Sequence, residues 1–72
     1  MRELRFSKEL YLGEQVDAAL NVYSRFGRIE RAEDEGAWIV RVEAATRAKE
    51  RRLAGEIGNY ALGATIRARG ER

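Results

Sequence analysis

The chain has 72 residues with no cysteine, histidine or proline, and its 14 basic and 12 acidic side chains leave a formal net charge of +2. These counts exclude disulfide bonds and metal sites built from cysteine and histidine. A chain of this length forms one domain, residues 1–72, whose core only narrowly offsets chain entropy. Oligomerisation is the remaining way to gain stability.

The charge balance limits the classes of partner. Charged residues make up 36% of the chain, but acids and bases nearly cancel, whereas a dedicated nucleic-acid binder normally carries a large basic excess. No apolar run approaches the roughly 20 residues of a membrane span, and segment 1–10 is charged where a signal peptide is apolar. The sequence therefore predicts a cytoplasmic protein without a membrane segment.

The first element is a predicted strand. Leu4 and Phe6 alternate with Glu3, Arg5 and Ser7, a period of two that is typical of a strand with one buried face.

A first amphipathic helix is predicted from about Gly13. The apolar side chains then recur at i, i+3, i+4 and i+7, at Val16, Ala19, Leu20 and Tyr23. Gly27 follows in the position of a helix C-cap.

A β-hairpin comes next. A second strand begins at Ile29, and the acidic, glycine-ended stretch 33–36 suits a hairpin turn. In the third strand one face is fully apolar, with Trp38, Val40 and Val42. The other face is mostly polar and carries Ile39, Arg41 and Glu43.

Thr46 is a predicted N-cap for a long second helix, from about Arg47 to Arg69. The order β-α-β-β-α predicts an α+β fold, in which both helices pack on one face of a three-stranded antiparallel sheet. The predicted core includes Phe6, Leu20, Trp38, Val40, Ile57 and Tyr60.

The second helix has two apolar stripes. One stripe is expected to cover the sheet and comprises Leu53, Ile57, Tyr60, Ala61 and Ala64. The second lies roughly opposite and comprises Leu62 and Ile66, with Gly55, Gly58, Asn59 and Gly63 on or beside it. Each glycine inside a helix costs about 1 kcal/mol of stability relative to alanine. Close approach of a partner helix to the bare backbone would explain why glycine is present at these positions. We therefore predict a homodimer through this second stripe. The alternative is ordinary exposed apolar residues on a helix that bends or stops near Gly63.

The chain lacks the residues of a catalytic site. Ser7, Ser24 and Thr46 have no histidine to activate them, and the glycines of the second helix do not follow a strand as a phosphate loop requires. The acidic run 33–35 lacks the spacing of a calcium loop and is typical of a solvated turn. The prediction is a protein that is not an enzyme and has no catalytic residue, cofactor or metal.

A basic cluster opens the second helix, at Arg47, Lys49, Arg51 and Arg52. These side chains could contact phosphates in a nucleic-acid-binding module. The alternative is a solvated helix surface.

Four segments together resemble the HxsD family of the His-Xaa-Ser peptide-maturation systems. They are Leu4–Tyr11, Asn21–Phe26, Trp38–Val40 and Glu56–Leu62. The resemblance implies a small accessory protein, encoded beside radical S-adenosylmethionine enzymes that modify a ribosomally made peptide. Independently of it, we predict that the chain presents a sheet edge or a helix face to a larger protein or to a peptide. It carries no catalytic residue over to this chain. The element order also resembles the small dimer-forming subunit of the KEOPS tRNA-modifying complex, in topology only.

Overall fold

The computed structural model describes residues 1–70, so the last two residues of the predicted domain lie outside the described part. Its elements are β1 (Arg2–Ser7), α1 (Gly13–Tyr23), β2 (Arg28–Glu33), β3 (Ala37–Glu43) and α2 (Arg47–Gly70), with a short 3-10 turn at Ser24–Phe26 between α1 and β2. The predicted order β-α-β-β-α and the antiparallel three-stranded sheet are confirmed.

Strand β3 occupies the centre of the sheet, between β1 and β2. It pairs antiparallel with both, and Val40 lies opposite Leu4 of β1 and Arg31 of β2. As the most apolar strand, β3 takes the position with two neighbours and the least solvent. The alternation of side chains then places Phe6, Val40 and Val42 on one face, where all three are buried.

Both helices contribute to the core on this face. Val16 of α1 and Ile57 of α2 are completely buried, like Val40 and Val42 of β3. Of the predicted core residues, Phe6, Val40 and Ile57 are buried, while Leu20, Trp38 and Tyr60 are partly buried and pack against the core.

The face of the sheet that no helix covers was predicted to be mostly polar, but it is better shielded from solvent than that prediction indicates. Ile39 on this face is only 8% exposed. Ile39 pairs with Arg5 of β1 and Ala32 of β2. Ion pairs hold Arg5 to Asp34 at 2.6 Å and Arg41 to Glu3 at 3.3 Å. Arginine stems tied in this way cover apolar surface while their guanidinium groups stay in water.

Trp38 closes the core beside the start of α1. Its indole N–H donates a hydrogen bond to the carbonyl of Tyr11 at 3.3 Å, and the charged groups of Lys8 and Arg31 lie 4.7 Å and 5.1 Å from its ring. A Cβ atom on Gly13 would lie 2.9 Å from the indole. The ring is therefore packed and hydrogen-bonded within the chain, as expected of a residue at the core margin.

Gly27 does not cap α1 as predicted. The helix ends at Tyr23, the 3-10 turn follows, and Gly27 is extended, with φ 177° and ψ 178°. A Cβ atom there would lie 2.8 Å from the carbonyl oxygen of Glu43 and 2.8 Å from the Leu53 side chain. Glycine is required because the chain entering β2 passes too close to the end of β3 for any side chain.

Helix α2 begins as predicted. The hydroxyl of Thr46 accepts a hydrogen bond from the backbone N–H of Lys49 at 3.1 Å, which is N-cap geometry. The helix then continues without interruption through Gly63 to Gly70, so the alternative of a stop near Gly63 is wrong. At its far end the Arg69 guanidinium donates to the carbonyl of Glu9 at 3.0 Å and attaches α2 to the loop after β1.

Candidate interaction surfaces

The face of α2 that points away from the core carries an exposed stripe, which we call the outer stripe. It consists of Gly55, Gly58, Asn59, Leu62 and Ile66. Leu62 is 45% exposed and Ile66 is 60% exposed, whereas Leu53, Ile57 and Ala61 on the opposite face are buried. The structure thus separates the two predicted apolar stripes of α2 and leaves the outer one in solvent.

The glycines of the outer stripe have no steric role within the described chain. A Cβ atom built on Gly55 or on Gly58 meets no atom within 4 Å. This contrasts with Gly13 and Gly27, where the added atom collides with neighbours. The helix therefore carries the cost of two glycines without a compensating contact in residues 1–70.

Gly63, also predicted at this interface, lies on the flank of the stripe. It is half-buried, and a Cβ atom there would make only a near contact of 3.4 Å with the guanidinium of Arg67. Because an arginine terminus moves easily, we expect the free chain to accept alanine at this position.

The predicted basic cluster is divided between two sides of α2. Arg47 and Arg51 point toward the start of β1. There they line an open groove of about 730 Å³ together with Met1, Arg2, Glu3 and Ala48. Lys49 and Arg52 lie on the other side of the helix. The four cations therefore do not form one continuous surface.

Lys49 and Arg52 border a second open groove, of about 520 Å³, between α2 and the end of α1. We call it the Phe26 groove. It is lined by Tyr23, Phe26, Lys49, Arg52, Leu53 and Glu56. Phe26 is 61% exposed, and the Tyr23 ring lies 6.1 Å from the Phe26 ring and 6.0 Å from the Tyr60 ring, centroid to centroid. Sequence reasoning missed this groove, although an apolar Phe26 beyond the end of a helix was an available signal.

The cations of the sheet and those of α2 differ in their pairing. Arg5, Arg28, Arg31 and Arg41 each form an ion pair with a carboxylate. Within residues 1–70, no ion pair is formed by Arg47, Lys49, Arg51 or Arg52. The α2 cations are therefore available for an anionic partner.

The acidic turn between β2 and β3 is held by its own carboxylates. Asp34 accepts hydrogen bonds from Arg5 at 2.6 Å and from the backbone N–H groups of Gly36 and Ala37 at 2.9 Å and 2.8 Å, and these bonds lower the pKa of Asp34. A hydrogen bond from Lys8 at 2.7 Å likewise lowers the pKa of Glu33. Any stability these bonds contribute is present above the ordinary carboxyl pKa and is lost as pH falls through the lowered one. Across residues 1–70 no three potential metal ligands lie together.

The hydroxyl groups considered for catalysis serve local structure. Ser7 accepts a hydrogen bond from the backbone N–H of Glu9 at 3.2 Å, and Ser24 donates one to the carbonyl of Asn21 at 3.2 Å. Thr46 caps α2. All three hydroxyl groups therefore take part in local hydrogen bonds with the backbone.

Comparison with models of protein families, with curated proteins and with solved structures finds no match for this chain. None of the helices in residues 1–70 is both long enough and apolar enough to cross a bilayer.

Proposed function

We propose that this chain is a small non-catalytic accessory or adaptor protein of the cytoplasm that works as a homodimer and holds a larger protein or a peptide. The observation that carries the proposal is the outer stripe of α2. It combines exposed Leu62 and Ile66 with two glycines that the chain itself does not need. Apolar side chains beside bare backbone are suited to close packing of a second helix.

The simplest arrangement is an antiparallel pair of α2 helices about a two-fold axis near Asn59. A two-fold interface is self-complementary, so each stripe supplies both the apolar side chains and the glycine gaps. Leu62 of one copy then lies over Gly55 of the other.

The first test replaces both apolar side chains of the outer stripe. The double variant Leu62→Lys/Ile66→Lys is expected to sediment as a monomer, because two charges buried in an apolar contact have no partner there. The fold is expected to remain, since both positions face solvent in the single chain. Sedimentation equilibrium gives the mass and far-ultraviolet circular dichroism gives the fold.

A control is Val22→Lys, which places one lysine on an exposed position of α1 (42% exposed) away from the stripe. This variant should keep the dimer. The proposed dimer would be refuted by a wild-type chain that stays monomeric at high concentration. It would equally be refuted by a Leu62→Lys/Ile66→Lys variant that stays dimeric.

A second test fills the glycine gaps with Gly55→Ala and Gly58→Ala. In the free chain the added methyl groups meet nothing, and each alanine should stabilise the helix by about 1 kcal/mol. In the dimer the same methyl groups would hold the helices apart, so the dissociation constant should rise about tenfold. Chemical unfolding of dilute protein and sedimentation of concentrated protein measure the two effects separately.

Gly63→Ala is the control for this pair, because it gives a similar gain in helix propensity on the flank of the stripe. It should stabilise the chain and leave dimer affinity nearly unchanged. Equal dimer affinity in Gly55→Ala/Gly58→Ala and wild type would show that the glycines serve no partner helix.

For the cellular context we propose a peptide-maturation system with a radical S-adenosylmethionine enzyme, on the resemblance to the HxsD family. The segments that carry the resemblance form most of β1 with the following loop, the end of α1 with the 3-10 turn, the start of β3 and the middle of α2. The neighbouring genes test this context: a radical enzyme and a His-Xaa-Ser precursor beside this gene are expected. Neighbours of another kind would refute the context and leave the dimer proposal standing.

A further inference from the structure

We infer that the Phe26 groove binds an acidic peptide segment that inserts one apolar side chain between α1 and α2. The inference rests on the proposed adaptor role, because it assigns the place where the client is held. It does not rest on the dimer, since one copy of the chain supplies the whole groove.

The floor of the groove is apolar and partly aromatic. Phe26 is among the most exposed large apolar side chains of the described residues, at 61%. Its ring and the Tyr23 ring lie 6.1 Å apart and are tilted by 48°, and Leu53 also lines the groove. A leucine-sized or phenylalanine-sized side chain placed there would remove apolar surface from water, at about 25 cal/mol for each Å² that becomes buried.

The rim supplies charge of the sign that an acidic segment needs. Lys49 and Arg52 stand on α2 three residues apart, so they share one side of the helix, and neither has a carboxylate partner in residues 1–70. Unlike the paired cations of the sheet, these two are free to meet an anionic group beside the exposed Phe26 ring. Arginine and lysine bind carboxylates through charge-assisted hydrogen bonds.

The same rim disfavours a nucleic acid. Glu56 lines the groove and has no cation partner in the described chain, so its charge would repel a phosphate backbone. The other two cations of the cluster, Arg47 and Arg51, lie on the far side of α2, so they cannot extend a continuous path for phosphates. A carboxylate of an acidic peptide is repelled in the same way where it faces Glu56, but the charges of a peptide sit on separate side chains that can lie beside Lys49 and Arg52. Its backbone N–H groups can meanwhile donate hydrogen bonds to the Glu56 carboxylate.

The groove also has a suitable size and shape. A volume of about 520 Å³ lies within the range of roughly 300–1,000 Å³ that is usual for small ligand pockets. The groove is open to solvent, so a peptide chain can run past it and insert a single side chain. One inserted apolar residue with flanking carboxylates therefore matches both the apolar lining and the charge of the site.

The experiment selects peptides from a displayed library of random dodecapeptides with the full-length protein. Sequences with Asp and Glu on either side of one apolar residue are expected to be enriched. Anisotropy of a labelled selected peptide should then show binding that weakens about tenfold in Lys49→Glu/Arg52→Glu, since a reversed rim replaces attraction by repulsion. Phe26→Ser should weaken it similarly through lost apolar contact.

The matched control is Arg67→Glu, which reverses another unpaired charge about 22 Å further along the same helix. It should leave binding unchanged. A library that yields no enriched sequences, enriched sequences without acidic residues, or equal binding by Lys49→Glu/Arg52→Glu would overturn the inference. So would a 12-nucleotide single-stranded oligonucleotide that binds through Lys49 and Arg52 when peptides do not.

The monomeric variant Leu62→Lys/Ile66→Lys separates this inference from the dimer proposal. Its Phe26 groove is unaltered, so it should bind the selected peptide as wild type does. Peptide binding by a monomeric wild-type chain would refute the dimer alone, and a dimer without peptide binding would refute the groove alone.

Discussion

Replacing Gly27 with alanine is expected to destabilise the protein by about 1–3 kcal/mol, the usual cost of forcing an extra group into a packed site. The added Cβ atom would lie 2.8 Å from the carbonyl oxygen of Glu43. That oxygen is backbone at the end of β3 and cannot rotate away as a side chain would. Either the end of β3 or the start of β2 has to move, so the loss appears as a lower midpoint in urea unfolding followed by Trp38 fluorescence.

Gly36→Ala is the control for this experiment. A Cβ atom at Gly36 meets nothing within 4 Å, and no glycine of the described chain has a positive φ. Alanine there should stabilise the protein by about 0.4–1 kcal/mol, because it restricts the unfolded chain. Equal stability of Gly27→Ala and wild type would mean that the close approach to Glu43 is not maintained in solution.

The second large effect is expected from Ile57→Ala. Ile57 is completely buried where α2 meets the sheet and α1, and truncating such a residue costs about 2–5 kcal/mol. A domain of this size rarely has more than about 3–5 kcal/mol of core stability. The variant should therefore be substantially unfolded at 25 °C, with loss of the helical circular dichroism signal.

Leu62→Ala on the same helix provides the comparison. Leu62 is 45% exposed, so its truncation should have little effect on the stability of dilute protein. At high concentration the dimer contributes to stability by mass action, and the same variant should then become clearly less stable than wild type. A Leu62→Ala effect that is independent of concentration would contradict the proposed interface, and a fully folded Ile57→Ala would contradict the assigned core.

Segments in which apolar and polar residues alternate with the period of a strand or a helix predicted the fold well. In such segments the pattern arises because one face is buried and the other is not. The strand period around Phe6, the apolar face of β3 and the Thr46 cap all agree with the structure. Gly27 was misassigned because a glycine after a helix usually serves as a cap. Here the requirement comes from the Glu43 carbonyl, which lies far away in sequence.

The interaction surfaces were predictable only in part. The outer stripe follows from helical spacing, and Leu62 and Ile66 are exposed as the sequence indicated. The separation of Arg47 and Arg51 from Lys49 and Arg52 also follows from the helical repeat of about 3.6 residues per turn. The sequence analysis treated the four cations as one cluster because they lie close together in the sequence. For the Phe26 groove the sequence offered only the apolar Phe26 after α1 as a signal, because the groove itself forms where the 3-10 turn after α1 comes to lie beside α2.

The central position of β3 has a consequence for how the chain acquires its structure. Strand β1 is made first but finds its hydrogen-bonding partner only in β3, after residues 8–36 have been added. Closing that long loop costs entropy that the short β2–β3 hairpin does not incur. In a nascent chain the backbone N–H and C=O groups of β1 therefore have no strand partner until β3 is complete at residue 43. The β2–β3 hairpin then offers the edge on which β1 completes the sheet.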